Sequence, residues 1–177
     1  MSEKVTIKVE RKTLHLPTIA LRGLVVFPNN LVHFEVGREK SIAAVEWAMA
    51  NNSNVFLVAQ KSMDTTEPQQ ADLFSYGVVA EVKQVLRVSG DLVKVLVEGK
   101  YRAKLSVLDA SGDFLLSEVR PAPVRAGKAD DAVETEALLR ALKAGFDEYL
   151  GMNPRLGKDV VFAIVSSDDP AFLSEYM

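Results

Sequence analysis

Residues 16–49 read LPTIALRGLVVFPNNLVHFEVGREKSIAAVEWAM, and this stretch decides the fold. Leu16 to Leu21 is a short apolar run that Arg22 and Gly23 interrupt. Val25, Val26 and Phe27 lead into Pro28, which lacks a backbone donor and so ends or edges a strand. Asn29 and Asn30 suit a turn, because asparagine tolerates left-handed backbone angles. In Leu31 to Val36 the residues Val32, Phe34 and Val36 share one face and His33 and Glu35 the other, the pattern of a half-buried strand. Gly37 breaks it. From Glu39 the apolar period changes from two to about 3.6, and Ile42, Val45 and Met49 line one helical face with Ala44 and Ala48 beside them. Trp47 flanks that face, and Asn51 and Asn52 stop the helix.

Working outward, Val55 to Ala59 (VFLVA) is apolar at every position and reads as a strand buried on both faces. Lys61 to Asp72 is polar, contains Pro68, and reads as a long mobile loop. A meander follows: Val78 to Val88, a turn at Ser89-Gly90-Asp91, Leu92 to Glu98, a second turn at Gly99-Lys100, Tyr101 to Val107, and a last strand from Phe114 to Arg120. Short strands at this spacing point to a small closed or nearly closed sheet. Toward the N-terminus, Val5, Ile7 and Val9 alternate weakly and fit an edge strand or a disordered segment.

Residues 122–130 form a linker by composition, between a β-rich domain over 1–121 and a helical subdomain over 131–177. Asp131 and Glu134 resemble a capping box. Leu138, Leu142, Phe146 and Tyr149 form an apolar stripe widened by Leu139 and Leu150, with Gly151 as its stop. Val160 to Val165 fits a buried strand or a buried helix. Asp169-Pro170 is a strong helix start, and the stripe Phe172, Leu173, Tyr176 ends with the chain, which suggests a piece of a longer polypeptide.

Composition narrows the chemistry. With 48% hydrophobic and 25% charged residues, the 177-residue chain is ordinary for a folded protein. A net charge of −3 speaks against a general nucleic-acid binder. With no cysteine there is no disulfide framework or thiol nucleophile. The charged, alternating N-terminus is no signal peptide, and no apolar run approaches the roughly 20 residues a membrane helix needs, so a cytoplasmic protein is expected. The phosphate-loop signature, the dinucleotide fingerprint and the nucleophile elbow are absent. His15 and His33 have no metal-ligand spacing to another candidate, and no metal or cofactor site is expected. Lys83, Arg87, Lys94, Arg102 and Lys104 could share one basic sheet face, but Glu81 and Glu98 interrupt it.

Two stretches resemble the N-terminal domain of the Lon family of ATP-dependent proteases. One carries Leu16-Pro17, Leu21-Arg22, Phe27-Pro28, Val36-Gly37-Arg38, Ser41-Ile42 and Ala44-Val45-Glu46; the other carries Gly77 to Val82, Gln84 to Arg87, Val93 to Gly99 and Arg102-Ala103. His33 departs from the pattern by standing where members often have proline. The resemblance implies an α+β fold: a PUA-like β-rich pseudobarrel with a packed helix, then a partial helical bundle, in which Val160 to Val165 is helical. It implies a module that captures unfolded or damaged polypeptides for a homohexameric ring. The ATP- and magnesium-dependent ATPase and the Ser-Lys peptidase would lie elsewhere, so no catalytic residue is expected in this chain. An isolated fragment could dimerise through its uncovered stripe. The candidate substrate-binding residues are Phe27, Pro28 and Leu31 at the turn, Arg38, Glu39 and Lys40 before the helix, and Leu73 and Phe74 after the loop. Two other readings stand beside it: a PUA-like RNA-binding domain, and a stand-alone adaptor.

Overall fold

The expected doubly buried strand forms at Asn54–Ala59 (β3), and in the computed structural model its apolar run Val55 to Val58 is buried on both faces. The structure describes residues 13–89, 92–122 and 132–177. The weak alternation at Val5 to Val9, the Gly90-Asp91 turn, the linker past Ala122 and the Asp131–Glu134 capping box lie outside the described residues. β3 runs parallel to Leu14–Leu21 (β1), with Thr18 opposite Phe56 and Leu21 opposite Ala59. Leu31–Val36 (β2) and Glu39–Asn51 (α1) make the connection between them. Tyr76–Ser89 (β4), Leu92–Asp109 (β5) and Leu115–Pro121 (β6) complete a sheet of order β2-β5-β4-β3-β1-β6. A further pairing of β5 with β6 closes it into the expected pseudobarrel, with β2 attached beside the first half of β5.

Closure gives two apolar layers. Ile19 and Leu21 of β1 with Val55 and Leu57 of β3 face α1; Leu16, Ala20, Phe56 and Val58 face Val79, Leu105 and Val119. Consecutive residues of one strand therefore enter different layers, the period-two geometry of a strand wetted on neither side.

Three expectations are corrected. Gly99-Lys100 is not a turn: β5 runs unbroken from Leu92 to Asp109, and Lys100 is the extra residue of a bulge between the pairs Ala80–Gly99 and Val79–Tyr101. The buried face of α1 is Ser41, Ala44, Val45 and Ala48, while Met49 is exposed. The helix turns its smallest side chains to the sheet because they permit the closest approach. Trp47 instead packs beside Phe114, ring centroids 5.7 Å apart. The polar segment after β3 is tethered rather than loose: Gln60 donates to the carbonyls of Ser62 and Thr65, Arg22 donates to Thr65, and a single 3-10 turn at Gln70–Asp72 closes it.

The chain divides into two compact units, Met1–Pro123 and Val124–Met177. In the second, Ala132–Met152 (α2), Lys158–Ser166 (α3) and Pro170–Tyr176 (α4) surround Phe146, Ile164 and Leu173. Val160 to Val165 is helical, as the resemblance implied. Asp169 caps α4, accepting from the Ala171 N–H at 2.9 Å. On α2 the packed side is Leu139, Phe146 and Leu150; Leu138, Leu142 and Tyr149 of the expected stripe are exposed, and the helix passes through Gly151 to Met152.

Candidate functional site

The Phe27 turn is built on backbone contact. Asn29 takes a positive φ of 62°, its N–H donates to the Gly99 carbonyl at 2.9 Å, and the Gly99 N–H donates to Asn30 at 3.0 Å. Residues 27–30 thus lie across β5 at the bulge. Phe27 stays partly exposed, with the Arg102 guanidinium 5.6 Å from its ring centroid, a cation–π contact. Leu31, the first residue of β2, is exposed.

The segment from Val25 forms one wall of an apolar groove of about 490 Å³, and the start of β4 forms the other. Its floor is Leu21, Val26, Leu57 and Ala59. Three large side chains stand open on its walls: Val25 at 59% exposure, Phe74 at 51% and Tyr76 at 57%. An exposed apolar concavity of this kind is a binding surface more often than an accident of packing. Sequence reading missed Val25 and Tyr76. Val25 looked like one more residue of a strand ending at Pro28, and Tyr76 like the lead-in to Gly77.

The nominated residues fall into different environments. Leu73 is 2% exposed and belongs to the inner layer with Phe56 and Val58, so of the Leu73-Phe74 pair only Phe74 faces outward. The Phe74 N–H donates to the Ala59 carbonyl at 3.1 Å, which fixes that presentation. Arg38 is a clamp: its guanidinium donates to the Gln60 side chain at 2.8 Å, to the Thr66 carbonyl at 3.3 Å and to the Ala20 carbonyl. Burial, and then the nearby Arg22, hold its pKa below the usual arginine value. Lys40 donates to the Ala110 carbonyl. Arg38 to Lys40 and Phe27 to Leu31 therefore belong to separate parts of the unit, and the groove gathers only Phe74 of the nominated residues.

Two cations of the expected basic face, Lys83 and Arg87, are paired with carboxylates. Lys83 lies 2.9 Å from Glu81 and 2.8 Å from Glu98; Lys100 lies 2.9 Å and 2.7 Å from the same two carboxylates. Glu81 and Glu98 are directly opposed across β4 and β5, an unfavourable pairing that the two lysines reverse. Hydrogen bonds from Lys100 and then Lys83 bring the Glu98 carboxyl down to about 2, and those to Glu98 and Glu81 raise Lys83. Arg87 pairs with Glu46. Among the described residues no cluster of histidine and carboxylate side chains could hold a metal ion.

Residues 15–177 match the family model of the ATP-dependent protease La (LON) substrate-binding domain. The chain belongs to this family. Among curated relatives, the Lon protease of Desulforamulus reducens is 37% identical over 160 residues, 90% of this chain and 19% of that protein. The Lon protease of Escherichia coli K12 is 37% identical over 162 residues, 92% of this chain and 20% of that protein. The chain thus spans about a fifth of the length of the Lon proteases it matches. Of solved structures, the N-terminal domain of a Mycobacterium avium complex Lon protease superposes with a TM-score of 0.71 at 21% identity, covering 92% of this chain and 80% of that one. A Lon N-terminal domain protein from Xanthomonas campestris superposes with a TM-score of 0.51 at 14% identity, covering 92% of this chain and 95% of that one. These two agree in fold. Binding, not catalysis, is what the Lon family match assigns to this region.

Proposed function

We propose that this Lon substrate-binding domain captures unfolded or damaged polypeptides by taking their apolar side chains into the groove between Val25 and Phe74-Tyr76. The observation that carries the reading is the groove itself: three large apolar side chains stand open around an apolar floor. Unfolded chains differ from folded ones chiefly in exposed apolar side chains, so such a groove discriminates by state rather than by sequence. Phe27 and Leu31 extend the apolar surface along the turn. Glu39 and Lys40 are proposed as polar contacts, while Arg38 supports the loop beside them. Pro28 holds the turn, and Leu73 acts only by presenting Phe74.

In this reading a homohexameric Lon ring supplies avidity, since weak contacts repeated around a ring sum to useful affinity. The whole protein uses ATP and magnesium for unfolding and a serine–lysine pair for cleavage, and works in the cytoplasm. No helix among the described residues is long and apolar enough to cross a membrane.

The test is fluorescence anisotropy of a labelled, permanently unfolded polypeptide titrated with the chain, with RNA as competitor at low and at physiological salt. Saturable binding that RNA does not displace supports the proposal. Preferential RNA binding that falls steeply with salt overturns it. The opposed carboxylates beside Lys83 and Lys100 argue against that outcome.

A further inference from the structure

Between β1 and the Phe27 turn the chain is strand-like but has no strand beside it. Leu24 and Val26 pack into the core layer that faces α1, while Val25 stands 59% exposed between them. This is the in–out alternation of an extended segment. Both of its ends are pinned. The Leu21 carbonyl accepts from the Gln60 N–H at 2.8 Å, and the Phe27 carbonyl accepts from the Asn30 N–H at 3.4 Å. Gly23 turns the chain with a φ of 63°, beside Met63.

Between those anchors the backbone N–H and C=O groups of Leu24, Val25 and Val26 make no hydrogen bond to any described residue. Backbone groups of a folded chain are nearly all paired, because a buried unpaired one loses its bond to water without a replacement. Val26 is 4% exposed, so water reaches little of it. Val25 and Val26 also line the apolar groove. The natural partner for a row of main-chain donors and acceptors beside an apolar floor is another extended main chain. Its groups match in kind and in spacing, about 3.3 Å per residue, and its alternate side chains point to one face.

We propose that the unfolded polypeptide lies in this groove as an added strand, its backbone hydrogen-bonded to residues 24–26 and every second side chain set on the floor of Leu57 and Ala59. The placement rests on the groove being the substrate site, and it names the substrate class: extended segments with free main-chain N–H groups and alternating apolar side chains. Helical segments, and segments with proline at the pairing positions, are rejected because their N–H groups are spent or missing. β2, which ends the strand order, also has an open edge. It exposes the polar His33 and Glu35 along its length, and polar or charged edges resist added strands.

The test titrates a short labelled peptide of alternating leucine and serine with the whole chain, read by anisotropy. Two further versions carry N-methyl groups, one on every leucine and the other on every serine. With the leucines on the floor, only one set of amides faces residues 24–26. One methylated version is therefore expected to bind about tenfold more weakly, and the other as the unmodified peptide does. Amide hydrogen exchange within residues 24–26 slows when the unmodified peptide binds, and exchange on β2 does not change. Equal affinity of all three peptides overturns the added strand, as does equal loss in both methylated versions, or protection on β2 in place of residues 24–26. Two controls keep the groove and the strand apart. If the double variant Phe74→Ser, Tyr76→Ser binds the unmodified peptide as tightly as the parent chain, the groove itself falls. If a permanently unfolded polypeptide binds the parent chain and the unmodified peptide does not, the groove stands and the added strand is overturned.

Discussion

Gly99 and Phe27 meet backbone to backbone: a Cβ at Gly99 would stand 2.2 Å from the Phe27 carbonyl oxygen and 3.3 Å from the Pro28 Cα. The turn that carries Phe27 is therefore seated on a glycine in the middle of a long strand. Gly99→Ala must push two backbones apart and break the paired hydrogen bonds to Asn29 and Asn30. The expected cost is about 2–4 kcal/mol. Urea unfolding followed by the fluorescence of Trp47, the only tryptophan, measures it. A variant as stable as the parent would mean that the turn is not held there.

The apolar groove separates binding from stability. Val25, Phe74 and Tyr76 are more than half exposed, so replacing Phe74 and Tyr76 by serine removes little buried area. Stability should stay within about 0.5 kcal/mol of the parent, while affinity for an unfolded polypeptide falls about tenfold. Anisotropy titration and thermal melting of the same preparations give both numbers. Unchanged affinity would remove the groove from the substrate site.

Sequence periodicity made much of the fold legible where burial follows from local pattern. Val32, Phe34 and Val36 turn inward on β2, and VFLVA is buried on both faces. It fell short where a distant segment decides the outcome. Gly99-Lys100 has the composition of a turn, yet the glycine is there so that residues 27–30 can cross β5. On α1, Ala44, Val45 and Ala48 turn inward as their spacing suggested, but Met49 is exposed and Ser41 packs on the sheet with them. For the site the limit was sharper. Leu73 and Phe74 look equivalent in sequence, and only pairing of Gln60 with Leu73 settles which one is buried. Val25 and Tyr76 lie 51 residues apart and gave no shared signal, since nothing local marks two exposed residues as walls of one groove.

Arg38 tests that distinction between a supporting and a contacting residue. Its guanidinium joins Ala20 on β1, Gln60 and the Thr66 loop. Arg38→Ala leaves Gln60 and two carbonyls short of a donor, with an expected loss of about 2–4 kcal/mol and faster proteolysis within residues 61–72. Glu39→Ala makes no comparable change. Equal, small effects of the two substitutions would return Arg38 to the class of solvated surface charges.

The paired carboxylates set an acid limit on the β4–β5 ladder. Glu98 titrates near 2, against an ordinary value of 4.5, because Lys100 and Lys83 donate to its charged form. A folded pKa below the unfolded one means that the unfolded chain binds the proton first. The stabilisation from Glu98 is therefore complete above about 4.5 and is lost as pH falls from there toward about 2. Glu98→Gln should flatten the dependence of stability on pH within that window and leave its shape above it unchanged. Since the four side chains are about one-third exposed, added salt should weaken the effect. Carbon-detected NMR of the Glu98 carboxyl reads the titration directly. A midpoint near 4.5 would show that the lysines do not hold the carboxylate in solution.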